Sequence, residues 1–158
     1  MPGPEFAVTA CVLLHQNGRW LLSVRSPDAA YAPGRLGLVG GHVEVDSPTP
    51  DVLEVTARRE VAEETGLDLA AEPLAYLESE FFVTDAGERQ VTVTFVAPAP
   101  ADAVASITAP AELSEVGWWT RGEVAADPRC PPWLPGLLDR AAAALPQLPS
   151  ETGPRRQL

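Results

Sequence analysis

The sequence has few cysteines, and this scarcity excludes a scaffold held together by disulfides. Only Cys11 and Cys130 occur among 158 residues, and two cysteines are too few for a disulfide framework. The stretch 1–6 carries neither a basic region nor a long apolar run, so nothing in it is typical of a signal peptide. We therefore expect a reduced, cytoplasmic setting for this chain.

The sequence also has few basic residues and no long apolar segment. The formal net charge is −11, and a surface this acidic repels the phosphate backbone of nucleic acids. No stretch approaches the roughly 20 apolar residues that a membrane-spanning helix needs. We therefore expect no nucleic-acid partner and no membrane insertion, whereas a small phosphorylated ligand stays compatible if local cations offset the charge.

The composition that remains is typical of a globular protein. Hydrophobic residues make up 46% of the chain and charged residues 21%, which allows one core of sufficient size for stability. No linker or internal repeat divides the sequence. We predict one domain over residues 1–150 and a disordered polar tail over 151–158.

Turn signals and β-forming residues divide the chain into strands around one central helix. Asn17-Gly18 predicts a hairpin, and either of the Ser-Pro and Thr-Pro pairs in 46–50 could begin the helix. Gly66 is typical of a left-handed helix end. Together these signals predict an α/β fold with a mixed sheet. The predicted strands are 7–14, 20–24, 36–45 with a break at Gly40-Gly41, 74–84, 90–97 and 116–120, and a second helix is predicted over 133–145.

Three glutamates crowd the last turn of the predicted central helix. At about 100° per residue, Glu60, Glu63 and Glu64 fall on one helix face. Carboxylates at these spacings repel one another by roughly a few tenths of a kcal/mol per pair. The negative end of the helix dipole adds a further cost, because it favours Lys or Arg at this position. A helix selected for stability alone would not place acids here.

A bound divalent cation would reverse both unfavourable effects. Clustered carboxylates without a nearby histidine or cysteine pattern suit Mg²⁺, or alternatively Mn²⁺, better than zinc. The alternative is a solvated acidic face in which Arg59 partly neutralises Glu63 one turn away. The helix pattern alone leaves the two interpretations equally open, because glutamate is a good helix former.

A sequence motif decides between these interpretations. Residues 59–67, REVAEETGL, match the second half of the Nudix box, R-E-U-x-E-E-x-G-U with U aliphatic, at every specified position. The preceding GGHVE at 40–44 resembles the glycine pair and the x-V-E of the same family. The chain thus resembles a Nudix (MutT-like) hydrolase over roughly residues 7–120.

The resemblance implies a fold, a reaction and a set of residues. The implied fold is a Nudix-type α/β/α sandwich with a mixed sheet, and the implied reaction is Mg²⁺-dependent hydrolysis of a nucleoside diphosphate linked to another group. Glu60, Glu63 and Glu64 become the metal ligands, with Glu60 or Glu64 also polarising the attacking water. Arg59 becomes the catalytic-loop salt-bridge residue, and Gly41 offers its carbonyl to the metal.

Further site residues follow from looser features of the family. Relatives often take one more metal-binding carboxylate from a loop shortly before a tryptophan, and Glu112 fits this spacing, with Glu115 and Glu80 as rivals. Arg25 ends the second strand facing the implied cleft and is a candidate for holding a phosphate. His42 and Glu44 follow the glycine pair and are candidates for contacting substrate.

One departure from the family pattern concerns the start of the helix. The full box is G-x5-E-x7-R-E, whereas Gly41 lies 18 positions before Arg59, four more than the pattern allows. Four residues could add one helical turn without rotating the acidic face, or they could lengthen the loop. Asp46, Asp51 and Glu54 are therefore all open as the acid that pairs with Arg59.

The resemblance narrows the substrate without fixing it. A small domain without an added N-terminal region favours a nucleoside triphosphate pyrophosphohydrolase that releases a monophosphate and pyrophosphate. ADP-ribose or a nucleotide sugar is the second interpretation, and a non-catalytic nucleotide-binding protein of the same fold is the third. Tyr31, Phe82 and Trp118 are candidates for stacking on a base, although buried aromatics more often belong to the core. Dimers are common among relatives, so a homodimer stays open.

Overall fold

The computed structural model describes residues 1–70 and 72–145, which form seven strands and three helices. The strands are β1 Ala7–Gln16, β2 Arg19–Arg25, β3 Leu36–Gly37, β4 Val39–His42, β5 Ala75–Val83, β6 Arg89–Pro98 and β7 Leu113–Trp119. The helices are α1 Val52–Thr65, α2 Arg121–Ala126 and α3 Leu134–Ala144.

The strands form one mixed sheet, as the sequence predicts. Its main path runs β3-β2-β1-β6-β5, with β4 paired to β1 and β7 paired to β2. The central pair β1 and β6 is parallel, and the other pairs are antiparallel. The predicted α/β class with a mixed sheet is confirmed.

One edge of β1 is shared between two partners, and this splits the sheet. At its end, His15 and Gln16 pair with β2 across the predicted Asn17-Gly18 turn. Nearer its start, the segment 9–12 pairs with β4 instead. Since β2 leaves β1 after two pairs, β4 and the helix that follows it can approach the middle of the sheet.

Helices cover both faces of the sheet, each over its own hydrophobic core. The alternation of side chains along a strand sends neighbouring residues to opposite faces. On the α1 face the core is built by residues such as Val12, Val39, Val61, Val93 and Phe95. On the α3 face it is built by residues such as Leu13, Leu22, Val96, Leu134 and Leu138. The implied α/β/α sandwich is therefore observed.

The strand break predicted at the glycine pair is wrong. The strand prediction for 36–45 divides at Leu38, and Gly40 and Gly41 lie inside β4, where they pair with Cys11 and Ala10. A Cβ at Gly40 would overlap the backbone of β1. Gly40 is therefore needed for close approach between strands, which the sequence pattern does not distinguish from a break.

The start of the central helix also differs from the prediction. Neither proline pair in 46–50 caps it, because α1 begins at Val52 after Asp51, which adopts a left-handed conformation with φ 49° and makes no side-chain cap hydrogen bond. The four extra residues therefore lengthen the loop before α1 and add no helical turn. The predicted left-handed end at Gly66 is confirmed, with φ 74°.

Two features near the C-terminal end complete the description. The short helix α2 was not predicted, although Thr120 and Glu123 form a reciprocal capping box at its start. The predicted disordered tail over 151–158 lies outside the described residues. Among the residues that the structure describes, no helix combines the length and apolar character needed to cross a membrane.

Candidate active site

The three glutamates lie at the C-terminal end of α1, as the sequence predicts. The helix ends where the amide of Gly66 donates to the carbonyl of Ala62, and its last turn holds no basic residue. The helix dipole therefore has no local side-chain cation at this end. The end faces the start of β4, with α1 and β4 packed against each other.

Glu64 is the most unusual of the three acids because it is nearly buried. Its residue is 6% exposed, and its Oε2 accepts a hydrogen bond from the amide of Gly40 at 3.1 Å. Burial raises the pKa of the Glu64 carboxyl to about 8, against a partial lowering by the Gly40 amide. The carboxylates of Glu60 and Glu112 raise it further, and Arg25 lowers it slightly. A buried acid among other acids is costly unless a cation compensates it.

The glycine pair of β4 makes room for these carboxylates. A side chain at Gly41 would overlap the carboxyl group of Glu60, so the absence of Cβ lets the Glu60 carboxylate lie directly against the strand. Gly40 supplies the amide that fixes Glu64. The strand backbone and the helix acids thus meet along one seam, which the sequence spacing alone does not reveal.

Arg59 pairs with the helix acids and not with the loop before the helix. Its Nη2 donates to Glu60 Oε1 at 2.8 Å and to the carbonyl of His42 at 3.0 Å. Its Nε lies 3.8 Å from Glu63 Oε1, one turn along the helix. Of Asp46, Asp51 and Glu54, none forms an ion pair with Arg59 in the described part of the chain, so Arg59 ties β4 to the acids themselves.

Glu112 belongs to a long loop that is attached to the end of α1. Thr108 Oγ1 donates to the carbonyl of Glu63 at 2.5 Å, and its amide donates to the carbonyl of Glu64 at 3.2 Å. The amide of Ser106 donates to the carbonyl of Thr65 at 3.1 Å. These bonds satisfy carbonyls that a helix end leaves open. The sequence did not predict this attachment, because no local motif indicates it.

The loop attachment brings Glu112 into the electrostatic neighbourhood of Glu64. The Glu112 carbonyl accepts from the amide of Ser26, just after β2, and its carboxylate contributes to the raised pKa of Glu64. Glu112 is exposed, so it can turn toward a ligand.

The two rival acids lie elsewhere. Glu115 binds Arg129 at 2.7 Å. Arg129 precedes α3, and its carbonyl accepts from the amide of Leu36. Glu80 lies on β5 opposite Thr92. Its neighbour on the same face of β5, Glu78, binds Arg140 of α3 at 2.7 Å. Both rivals therefore belong to the α3 side of the sheet, whereas Glu60, Glu63 and Glu64 belong to α1.

The predicted substrate-contacting residues are spread over two places. Arg25 ends β2, and its Nε donates to the carbonyl of Tyr31 at 2.6 Å. It is close enough to lower the pKa of Glu64. His42 is exposed and lines an open groove of about 620 Å³ with Glu5, Phe6 and Arg89. Glu44 is exposed beyond β4 and contributes to the raised pKa of Arg59.

Cys11 lies beside the acids without the properties of a nucleophile. It is 8% exposed, and burial raises the pKa of its thiol to about 12, with further increases from Glu64 and Glu60. The thiolate is the reactive form of cysteine, so this side chain stays protonated and inert at neutral pH.

Comparison with known proteins decides the family. A family model described as NUDIX domain matches residues 4–140. The chain belongs to the Nudix hydrolase family. No curated protein sequence matches the chain significantly, so membership rests on the domain match together with the fold.

Several solved structures share the Nudix fold of this protein. A MutT Nudix hydrolase from Burkholderia pseudomallei is 23% identical, with a TM-score of 0.71 over 86% of this chain and 98% of the other. The Nudix domain of Shewanella oneidensis NrtR, complexed with ADP ribose, is 24% identical, with a TM-score of 0.67 over 92% and 90%. A C. elegans Ap4A hydrolase is 18% identical, with a TM-score of 0.66 over 90% and 98%. These likenesses establish the fold and leave the substrate open.

The Nudix acids carry the donor atoms that a hard divalent cation prefers, but their side chains do not converge. No group of three or more His, Cys, Asp or Glu side chains is gathered as a metal site within residues 1–70 and 72–145. Glu60 is turned to Arg59 and Glu64 to the Gly40 amide. The donor set is all oxygen, and the buried Glu64 would be relieved by a nearby cation. The residues therefore fit Mg²⁺ or Mn²⁺ in chemistry, with rotation of Glu60 required.

Proposed function

We propose that this Nudix protein hydrolyses a diphosphate linkage in a nucleotide and depends on Mg²⁺, with Mn²⁺ as a substitute. The observation that carries the proposal is Glu64, a nearly buried carboxyl group at the negative end of α1, with Glu60 and Glu112 near enough to raise its pKa. Such an arrangement lowers the stability of the fold, but it can bind a cation together with an anionic substrate.

Each acid has a proposed role in binding the cation. Glu60, Glu63 and Glu64 supply carboxylate oxygens from α1, Gly41 supplies its backbone carbonyl from β4, and Glu112 supplies a carboxylate from the attached loop. When bound, the divalent cation neutralises the charge of the diphosphate oxygens and lowers the pKa of a coordinated water.

Arg59 and Arg25 act from the two sides of this group. Arg59 binds the Glu60 carboxylate and the carbonyl of His42, and so it fixes the position of β4 relative to α1 at the site. Arg25 lies at the end of β2 near Glu64, and it is proposed to bind a phosphate oxygen with the guanidinium nitrogens that its bond to Tyr31 leaves available. His42 and Glu44 are proposed to contact the substrate beyond β4.

Glu64 is proposed to take the proton of the attacking water. The water oxygen bonds to phosphorus, the anhydride oxygen leaves with its electron pair, and one water proton moves to the Glu64 carboxylate. One Glu64 oxygen is fixed by the Gly40 amide at 3.1 Å, which orients the other. A general base works best when its pKa lies near the working pH.

Nucleoside triphosphates are the proposed substrates, cleaved to a monophosphate and pyrophosphate. The fold likeness to a MutT protein supports this choice. So does the absence of a proline near Phe82, where many ADP-ribose hydrolases of the family carry one. ADP-ribose is the second candidate, because a domain of the same fold is complexed with it.

A substrate panel tests the proposal. The purified chain is incubated with ribo- and deoxyribonucleoside triphosphates, ADP-ribose and nucleotide sugars, in Mg²⁺ or in EDTA, and the products are separated by chromatography. We expect turnover that requires the cation, with nucleoside monophosphate and pyrophosphate as products of the best substrate.

The alternatives give different results in the same panel. AMP and ribose 5-phosphate from ADP-ribose would identify the second candidate. A raised melting temperature with nucleotide but no product under any condition would identify a binding protein and overturn the hydrolase proposal.

A further inference from the structure

Two short strands fill the opening that forms where β2 leaves β1. Along one edge β2 pairs with β7, and along its other edge it pairs first with β1 and then with β3. The chain runs back along β2 as β3, and after Leu38 it runs out again along β1 as β4. Arg35, which precedes β3, and His42, which ends β4, therefore lie at the same end of this opening, on its opposite sides.

A β-bulge places two arginines opposite each other on the β2 side of the opening. The amide of Arg25 donates to the carbonyl of Arg35 at 3.0 Å, and the amide of Gly34 donates to the carbonyl of Arg25 at 3.1 Å. Gly34 has a φ of 69°, as expected for the first residue of a bulge that begins with a left-handed glycine. The preceding pair, Val24 and Leu36, is buried in the core on the α3 face. The two arginines therefore point away from α3.

Neither arginine has a carboxylate partner in the part of the chain that the structure describes. Acidic residues outnumber basic ones by 22 to 11, so partners are not scarce. The arginines that do form ion pairs are Arg19, Arg59, Arg121, Arg129 and Arg140. Arg25 donates its Nε to the carbonyl of Tyr31 at 2.6 Å, and the exposed guanidinium of Arg35 bonds to no described residue.

This arrangement lowers the stability of the fold unless an anion compensates it. Like charges directly opposite each other on paired strands repel, and each guanidinium keeps donors available for a ligand. The arginine pair is thus the counterpart of the acids at the end of α1, with the opposite sign of charge.

The arginine pair and the acids of α1 lie at the same opening in the sheet. Glu64 is held by the amide of Gly40 at 3.1 Å, and β4, which contains Gly40, occupies the β1 side of the opening. Arg25 is close enough to lower the pKa of Glu64 and that of the Cys11 thiol. A phosphate chain that has one phosphate at the acids can therefore extend toward Arg25 and Arg35.

The chemistry of two adjacent guanidinium groups selects the end of a phosphate chain. Each guanidinium can bind two phosphate oxygens with parallel hydrogen bonds. A terminal phosphate presents three acceptor oxygens and about −1.5 to −2 charges at pH 7. A phosphate that is esterified to a further group has fewer free oxygens and only a single charge. Two guanidinium groups therefore match a free terminal phosphate better than an esterified one.

We propose that Arg35, together with Arg25, binds the terminal phosphate of the substrate and so selects nucleotides whose phosphate chain has a free end. Nucleotides in which that phosphate is esterified to a second group, such as ADP-ribose, bind less tightly. Arg35 is then a specificity-determining residue that no sequence motif indicates. This inference rests on the proposed function, since it places the cleaved linkage at Glu60 and Glu64.

The test uses two probes without a base that resist hydrolysis. Methylenediphosphonate has free ends, and its P,P′-dimethyl ester has both ends esterified. The affinity of each is measured by titration calorimetry in Mg²⁺. We expect the wild type to bind methylenediphosphonate at least about tenfold more tightly than the ester, and Arg35→Gln should lose most of this preference. The affinity for the ester should stay unchanged in Arg35→Gln, whereas damage to the fold would lower both affinities.

Two further variants sharpen the result. Arg121→Gln removes the same charge from the exposed start of α2, so its preference for methylenediphosphonate should equal that of the wild type. Arg35→Lys keeps the charge but loses the planar fork, so its preference should be intermediate. Circular dichroism and melting curves establish that each variant is folded, and Arg35→Lys carries the test if Arg35→Gln does not fold.

The results separate this inference from the proposed hydrolysis. Equal affinities for the two probes in the wild type, no binding of methylenediphosphonate, or an undiminished preference in the Arg35 variants would overturn the inference even if the wild type hydrolyses triphosphates. An equal loss of preference in Arg121→Gln would also overturn it, because the effect would then come from net charge. A preference that is lost in Arg35→Gln and kept in Arg121→Gln supports the inference even if no Mg²⁺-dependent turnover is found.

Discussion

Acidic side chains around α2 and α3 have different surroundings from those at the end of α1. Arg129 binds Asp127 and Glu115, each at 2.7 Å. Arg121 binds Asp139 with two nitrogens at 3.0 Å. The neighbouring arginine lowers the pKa of Asp127 and likewise that of Asp139. In this region each of these acids stabilises the fold in its charged form.

At the end of α1 the balance is reversed. Glu60 and Glu63 share one arginine, Arg59. Burial raises the pKa of Glu64 to about 8, although the Gly40 amide and, to a lesser extent, Arg25 lower it. Acids around α2 and α3 are therefore paired with arginines, whereas those at the end of α1 lie close together with less compensating charge.

The difference indicates which region is built for stability and which for binding. A sequence that can supply arginines to the acids around α2 and α3 could supply one to the end of α1, where the dipole also favours it. Local violations of stability rules are expected at functional sites. The contrast predicts that changes in the two regions will separate activity from stability.

The largest effect is expected when Glu64 is changed to Gln. Loss of a proposed ligand to the proposed divalent cation should forfeit on the order of 3 kcal/mol of transition-state stabilisation, which corresponds to about a hundredfold or more in kcat/KM. Steady-state kinetics on the best substrate of the panel measures this loss. A variant with full activity would remove Glu64 from the site.

The same variant should be more stable than the wild type when no metal is present. The folded pKa of Glu64, about 8, exceeds the ordinary value of 4.5, so the folded state retains a proton that the unfolded state releases between these pH values. Wild-type stability therefore falls as pH rises from about 4.5 to about 8. In EDTA, the melting-temperature advantage of Glu64→Gln should grow over this range. Adding Mg²⁺ should stabilise the wild type more than Glu64→Gln, and an advantage independent of pH would contradict this explanation.

A second contrast lies between the two glycines of β4. Alanine at Gly41 would meet the Glu60 carboxyl group, which is the movable end of a side chain. Gly41→Ala should therefore fold but misplace Glu60, with a tenfold or greater loss of kcat/KM. Alanine at Gly40 would meet the backbone of Ala10 and Cys11, so Gly40→Ala should cost about 1–3 kcal/mol of stability. Urea unfolding and kinetics on both variants test the pair, and equal unfolding midpoints would refute the distinction.

Sequence patterns predicted most of the architecture because its signals are local. Turn signals and β-forming residues located β1, β5 and β6, and the helix ended at Gly66 as expected. The start of α1 was misplaced because proline pairs in 46–50 resemble caps, whereas the chain instead adopts a left-handed turn at Asp51. The strand break predicted at the glycine pair was wrong. A side chain at Gly40 would overlap β1 and one at Gly41 would overlap Glu60, and both neighbours are distant in sequence.

The site was predictable to the extent that it lies on one helix. The spacing of Glu60, Glu63 and Glu64 follows from helical geometry alone. The contact of Arg59 with Glu63, one turn away, follows from the helix. Its bonds to Glu60 and to the His42 carbonyl were not predicted, and the second depends on where β4 passes the helix. The position of Glu112 depends on Thr108, whose hydroxyl finds a helix carbonyl 45 residues away, and no local rule connects them.

A smaller effect is expected at this loop attachment. Thr108→Val removes the hydroxyl bond to the Glu63 carbonyl but retains the backbone bond to Glu64, which should cost about 1 kcal/mol of stability. Because the loop carries Glu112, kcat/KM should also fall a few-fold. Ser106→Ala is the matched control, since Ser106 reaches Thr65 through its backbone amide. A loss of activity in the control as large as in Thr108→Val would refute a specific role for the hydroxyl.

The smallest effect on activity is expected in the well-paired region. Arg129→Met removes the ion pairs to Asp127 and Glu115, and since the Arg129 side chain is 37% exposed, the cost should be about 1 kcal/mol at neutral pH. Arg129 holds the pKa of Asp127 below its ordinary value of 3.8, so its contribution is present above that pH and is lost as pH falls through the folded value. The melting temperatures of variant and wild type should therefore differ at pH 7 and converge in strong acid.

Substrate turnover of Arg129→Met should be unchanged throughout, because the acids that Arg129 binds lie on the side of the sheet away from α1. A turnover loss like that of Gly41→Ala would mean that the two sets of acids are coupled, and the contrast between them would fail.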